Sequence, residues 1–146
     1  MQASTARDAG ERGSIAVEFA ILVPAFLLLI AVAAVIGRQT VAQTAIEGAA
    51  HDAARAASIS RTAATAQSRG NEAAKSVLDA QGLHCDPVTI TVDTGEFARP
   101  VGQAAAVTAT VSCSVAFSDI AIPGMPGNRT LSATFTSPLD VYRSRS

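Results

Sequence analysis

The sequence predicts an α+β chain: a long N-terminal helix, membrane-spanning in its first part, followed by a small antiparallel sheet of about three strands. Two patterns carry this. Residues 19–36 are 18 consecutive apolar residues without a charge, and after Gly82 the hydrophobic period changes from 3.6 to 2. Composition points the same way. The 146 residues suffice for one ordinary domain. Hydrophobic types make up 49%, yet aromatics are only 4%, Trp is absent and 31 residues are alanine. Alanine favours helix but buries little surface, which argues against a soluble enzyme with a large core. Acidic and basic residues nearly cancel, 12 against 11, so no global basic signature for nucleic acid exists. Two cysteines and two histidines are too few for most metal or redox frameworks.

A helix of about 20 apolar residues crosses a bilayer core. Residues 19–37 supply 19, twelve of them Phe, Leu, Ile or Val, summing to roughly −5 kcal/mol on an insertion scale. Pro24 and the flanking Glu18 count against insertion without reversing it. A buried core helix is the alternative, but the rest of the chain has too little bulk to surround it. A cleaved secretory signal is another, with Ala31, Ala33 and Ala34 as cut-site residues; the run, however, continues through Val35 and Ile36. Glu18 at the entrance of an uncharged span reads either as a functional acid seeking a partner or as a membrane-edge residue reaching water. Pro24 reads either as a functional kink or as an ordinary membrane-helix proline.

The string Arg12-Gly13-Ser14-Ile15-Ala16-Val17-Glu18-Phe19 precedes and opens this helix. A basic residue and Gly, then four residues, then Glu-Phe resembles the leader of type IV pilin-like proteins. The Glu-Phe variant, continued by Ala20-Ile21-Leu22-Val23-Pro24, resembles the TadE-like pseudopilins of Flp/Tad pilus systems. Gly37-Arg38-Gln39 and the Ala-rich run from Ala49 to Ala57 also fit. The resemblance implies a pilin-like fold and a prepilin peptidase cut between Gly13 and Ser14. Glu18, beside Phe19, then becomes the fifth mature residue and suits a neighbouring subunit's new α-amine. Orientation is not decided by charge: Arg7 and Arg12 precede the span, Arg38 and Arg55 follow it. The resemblance implies a bacterial cell-membrane, single-pass protein with a cytoplasmic N-terminus and an extracytoplasmic C-terminal domain, in or at the base or tip of a pilus.

The leader, residues 1–13, is polar and disorder-prone. From residue 38 to about 57 the pattern stays helical, with Ala42, Ile46, Ala49, Ala53 and Ala56 forming a narrow stripe of small residues. A helix over 14–57 would span roughly 66 Å. Residues 58–70 are a loosened helix or a break, and Asn71 is a candidate cap for a second stretch over 72–81 that Gly82 stops. His51, with Asp52 and Arg55, belongs on a solvated face.

Three strands follow. Val88, Ile90 and Val92 alternate with Thr89, Thr91 and Asp93; Val107 to Phe117 alternates with Thr108, Thr110, Ser112 and Ser114; Leu131, Ala133 and Phe135 alternate with Ser132, Thr134 and Thr136. Val141 and Tyr142 are candidates to extend the last. Ile120, Ile122 and Met125 in the second loop would cover a sheet edge or meet a neighbouring subunit. Cys85 and Cys113, an even pair outside the membrane, read as a disulfide; free thiols, or a metal site with His84, are the alternatives. Asp86, Asp93 and Glu96 read as a solvated edge, and Asn128-Arg129-Thr130, though a glycosylation pattern, as a turn.

The expected organisation is therefore a leader (1–13), a transmembrane helix (14–37), an extracytoplasmic helical region (38–82) and a small β domain (83–146). The expected function is that of a non-enzymatic minor pseudopilin serving pilus assembly and adherence. Its partners would be the membrane, prepilin peptidase, other pilin subunits and the assembly platform. No catalytic residue, metal, cofactor, nucleic acid or small-molecule substrate is expected. The alternative is a permanently anchored single-pass protein whose ectodomain binds a ligand or cell-wall component; a small secreted enzyme lacks a convergent acid/base set.

Overall fold

The computed structural model describes residues 5–116, 118 and 126–142, with residues 5–16 by backbone alone. In chain order they form helix α1 (Thr5–Ser58), helix α2 (Ala63–Ala80), strand β1 (Val88–Asp93), a 3-10 turn (Gly95–Ala98), β2 (Ala106–Ala116) and β3 (Asn128–Pro138). Two compact units result, Met1–Gly37 and Arg38–Ser146.

In the first unit the described part of α1 runs from Thr5, within the segment read as a polar leader. Ala6, Arg7, Ala9, Glu11 and Arg12 are strong helix formers, and Gly10 and Gly13 oppose them most. The helix continues uninterrupted through Pro24. An 18-residue stretch of mean hydropathy 3.0 has none of its residues buried. Its large side chains stand out on every side, from Phe19 (62% exposed) through Leu29 (65%) to Ile36 (61%). A helix apolar all round is stable only in an apolar surrounding; this one is consistent with a membrane anchor.

In the second unit, the last five turns of α1 bury Ala42, Ile46, Ala49, Ala50, Ala53, Ala54 and Ala57. The buried stripe is wider than the expected one, and Ala57 takes the place of half-buried Ala56. Two surfaces converge on it, α2 and the sheet, so two rows of alanine are covered.

The break after α1 is shorter than expected. Ser60 donates to the Ala57 carbonyl through its amide (3.0 Å) and to Ala56 through its hydroxyl (3.1 Å). Thr62 then caps α2, its side-chain oxygen accepting the Thr65 amide at 3.1 Å. Asn71 is therefore not a cap but an interior helical residue. Capping chemistry nine residues earlier, at Thr62, started the helix first, and Ala63 to Ala66 propagate it. Gly82 ends it with φ +63°.

The reason for glycine in the middle of α2 is contact. Ala66, Gly70, Ala74 and Leu78 form its buried row. A Cβ at Gly70 would lie 2.8 Å from Val92 Cγ2 and 3.2 Å from the Ala53 carbonyl oxygen. Here α1, α2 and β1 meet with no room for a methyl group. Gly70→Ala gains about 1 kcal/mol of helix propensity but overpacks a closed seam, at about 1–3 kcal/mol. Because one crowded atom is backbone and the other belongs to buried Val92, a net loss of stability is expected. A lowered urea midpoint checks it; an unchanged midpoint would mean that α2 slides freely on α1.

The strands form one antiparallel meander, β1-β2-β3. Val88 faces Cys113 and Asp93 faces Thr108 across the first pair; Ala106 faces Pro138 and Ala116 faces Asn128 across the second. Val107, Ala109, Val111, Cys113 and Val115 point from β2 into the core with Val92 and Leu131. The opposite face is hydroxylated, with rungs Thr108–Thr136, Thr110–Thr134 and Ser112–Ser132, each 3.0 Å. These cross-strand pairs fix the register that alternation set up.

Two details depart from the sequence reading. Val141 and Tyr142 lie in a turn. Pro138 closes β3, Leu139 donates back to the Ala105 carbonyl (2.8 Å), and Asp140 Oδ1 takes the Tyr142 amide (2.9 Å), which bends the chain away. Phe135, which alternation puts on the same face as buried Leu131, is 41% exposed; its ring meets His51 edge-on, centroids 4.5 Å apart. Phe117 and the loop residues Ile120, Ile122 and Met125 lie outside the described residues.

Candidate functional site

The residues singled out by the sequence fall into two places, one in each unit. In the first unit, Gly13 and Ser14 lie on the helical backbone of α1, and Glu18, Phe19 and Pro24 follow on the same helix. Glu18 is exposed among exposed Val17, Phe19, Ala20 and Ile21. Among the described residues it has no hydrogen-bond or ion-pair partner. An ionised carboxylate in such a collar costs several kcal/mol if carried into hydrocarbon unpaired. It therefore demands water or a cation.

In the second unit, Cys85 and Cys113 form a disulfide with Cα atoms 5.0 Å apart and a sequence separation of 28. The register explains the meeting. Cys113 faces Val88, so Cys85, three residues earlier, enters at the same end of the β1–β2 pair. The Asp86 amide donates to the Ser114 carbonyl (3.0 Å), and the Ser114 amide to that of Pro87 (3.1 Å), continuing the pairing past the strand. Cys113 is fully buried, and both sulfurs are engaged with each other, leaving His84 without a thiolate companion.

The carboxylates near the sheet are absorbed by local structure. Asp93 Oδ1 accepts the Gly95 amide at 2.9 Å. Glu96 holds Arg99 at 2.8 Å through one oxygen and the Ala106 amide at 2.6 Å through the other. This clamp, with buried Phe97, fastens the loop between β1 and β2. His51 Nδ1 lies 3.1 Å from Asp52 Oδ1 on the exposed side of α1. The open groove beside it is lined by Gln43, Glu47, His51, Ser132, Thr134 and Phe135, and the hydroxyls of Ser132 and Thr134 are engaged with Ser112 and Thr110 across the sheet. Among the described residues no group of three or more His, Cys, Asp or Glu could hold a metal ion.

Sequence reasoning did not find the contact of Arg129 with Gln39, in which Nη1 donates to Oε1 at 3.3 Å across 90 residues of chain. No local signal encodes it; it follows from where β3 begins beside α1. The Glu96 clamp was equally hidden, whereas a glycine flanked by Arg69 and Asn71 in an alanine-rich helix was a signal for close packing.

Residues 13–55 of the chain match the model of the family described as TadE-like protein. No curated protein and no solved structure matches the chain.

Proposed function

We propose, from the premise that residues 13–55 carry the TadE-like pattern, that this chain is a non-enzymatic pseudopilin of a Tad-type pilus. The coarser part of this, a Tad pilus-associated component with an N-terminal apolar anchor, is what the family match suggests. The finer part is our reading. A prepilin peptidase cuts between Gly13 and Ser14 on the cytoplasmic side. The freed Ser14 amine is met by Glu18 of a neighbouring subunit, the apolar helix packs among other pilin helices, and the disulfide-held domain outside serves assembly and adherence.

The observation that carries this reading is the conjunction at one helix end. The family match begins at Gly13, and five residues on stands an acid, without a partner among the described residues, opening a span with no charge until Arg38. A permanent anchor has no need of an acid there. A subunit transferred from membrane to filament does, because the carboxylate can be neutralised by an amine that exists only after cleavage. The identity of the mature N-terminus tests the proposal. Edman or mass-spectrometric sequencing of membrane-extracted protein from cells with an active peptidase is expected to read Ser14-Ile15-Ala16. An intact Met1 in those cells overturns processing and leaves the permanently anchored alternative.

A further inference from the structure

We propose that a second copy of this chain docks head to tail on the sheet, adding its β1 edge in parallel to the free edge of β3, with Arg129 of one copy meeting Asp86 of the next. The contact lies wholly within the second unit. It holds whether or not the leader is cut, and so stands apart from the processing proposed above. The order β1-β2-β3 leaves two open edges among the described residues. Which backbone groups they present follows from the pairing. The Leu139 amide donates to the Ala105 carbonyl (2.8 Å), and bonded pairs alternate along an antiparallel ladder. The odd-numbered residues of β3 are therefore bonded to β2, and Thr130, Ser132, Thr134 and Thr136 turn their amides and carbonyls outward. The Ser114 amide donates to the Pro87 carbonyl (3.1 Å). By the same rule Val88, Ile90 and Val92 turn theirs outward from β1.

The β3 edge is not blunted. It pairs one to one with β2 over eleven residues without a bulge, and between Arg129 and Pro138 it carries no charge and no proline. Such an edge is a template for another strand. Topology sets the direction of that strand. β1 and β3 each run antiparallel to β2, so they run parallel to each other, and an unrotated copy presents its β1 beside β3 in the same sense. Charge selects this partner, because the starts of the two strands come together. Arg129 stands exposed at the start of β3, and exposed Asp86 precedes β1 by two residues. Neither forms an ion pair among the described residues, and Arg129 keeps donors beyond the one given to Gln39. With Arg129 beside Asp86, Ser132 falls beside Thr89 and Thr134 beside Thr91. The outward groups then match. In a parallel pair a residue bonds the two neighbours of the one it faces, so Ser132 reaches Val88 and Ile90, and Thr134 reaches Ile90 and Val92. The hydroxyl rows of the outer face continue across the seam. A two-fold β3–β3 pair would set Arg129 against uncharged residues of the far strand end and leave β1 unpaired.

The test uses the full chain in detergent micelles and two kinds of copy. One is tagged and carries Thr91→Cys; the other is untagged and carries Thr134→Cys. The native cysteines are engaged with each other. Paired strands lie about 4.8 Å apart, so a short bismaleimide is expected to join tagged to untagged chains. Arg129→Glu on the Thr134→Cys copy should lower that yield about fivefold, the worth of one exposed ion pair. Asp86→Arg on the Thr91→Cys copy should do the same. The two changes together should restore the yield, which a misfolded variant would not. Association through the apolar helices alone would not respond to these charges. Absence of the 91–134 product overturns the proposal. So does a yield that neither charge change moves, or a loss that the combined changes leave unrestored. Thr134→Cys chains joined mainly to one another would replace it with the two-fold pair.

Discussion

Gly13→Ala is expected to leave residues 1–13 attached to the protein that accumulates in the membrane. The proposed cut lies directly after Gly13, and the backbone there is helical. A peptidase must open that helix to reach the bond. Glycine makes opening cheap, since it is about 1 kcal/mol worse than alanine in a helix interior. Alanine restores that amount and adds a Cβ beside the scissile bond. Helix opening alone would slow processing about fivefold, and steric exclusion from a glycine-fitted site adds to it. A gel shift of the missing 13 residues, confirmed by N-terminal sequencing, reads the outcome. Normal processing of this variant would remove the assignment of Gly13 and Ser14. Glu18→Ala supplies the contrast: it removes the only charge between Arg12 and Arg38, so insertion should be preserved or improved. Cleavage is expected to continue while pilus assembly falls. If assembly were unchanged, Glu18 would be a membrane-edge residue and nothing more.

The legible parts of this chain were those written in one-dimensional periodicity. An apolar run too long for a small core announces a span, and strict alternation over Val107 to Val115 announces a strand whose Thr and Ser face outward. The register itself was not legible, because it is a relation between strands; the hydroxyl rungs at 108–136, 110–134 and 112–132 show it only in three dimensions. The second helix was misplaced at its start for a related reason. Asn71 and Thr62 are both capping types, and sequence alone does not say that Gly70 is buried between Ala53 and Val92 rather than ending a helix. The alanine stripe was legible, but its width was not, since width depends on how many neighbours cover it. The contact of Arg129 with Gln39 was the least legible feature. The two lie 90 residues apart in sequence, and only the fold brings Arg129 to Gln39. The sequence string at residues 12–19 was legible in another way, by its likeness to a family leader, and the family match over 13–55 covers that likeness and not the sheet.

Replacing both cysteines by alanine is expected to cost the second unit roughly 3–4 kcal/mol, the loop-closure entropy of a bridge this long, before any loss of packing at fully buried Cys113. Small domains have about 5–15 kcal/mol in total, and this one fills its core largely with alanine, each contributing little area. The loss should therefore be a large share of the whole, lowering the urea midpoint by about 2 M for a domain of this size. It should also be uneven. The β2–β3 pair runs over eleven residues with hydroxyl rungs, whereas β1 pairs with β2 over only six. The disulfide fastens the entrance of that weaker strand to the middle of the sheet. Without it, β1 has Val92 against Gly70 and its backbone pairing to hold it, and α2 loses the surface on which it closes. Hydrogen exchange read peptide by peptide should show residues 63–93 losing protection first, with β2 and β3 still protected. Uniform loss across all three strands would mean that the bridge only restrains the unfolded chain. An unchanged midpoint, with both sulfurs gone, would mean that the alanine seam between α1 and α2 holds the domain without the bridge.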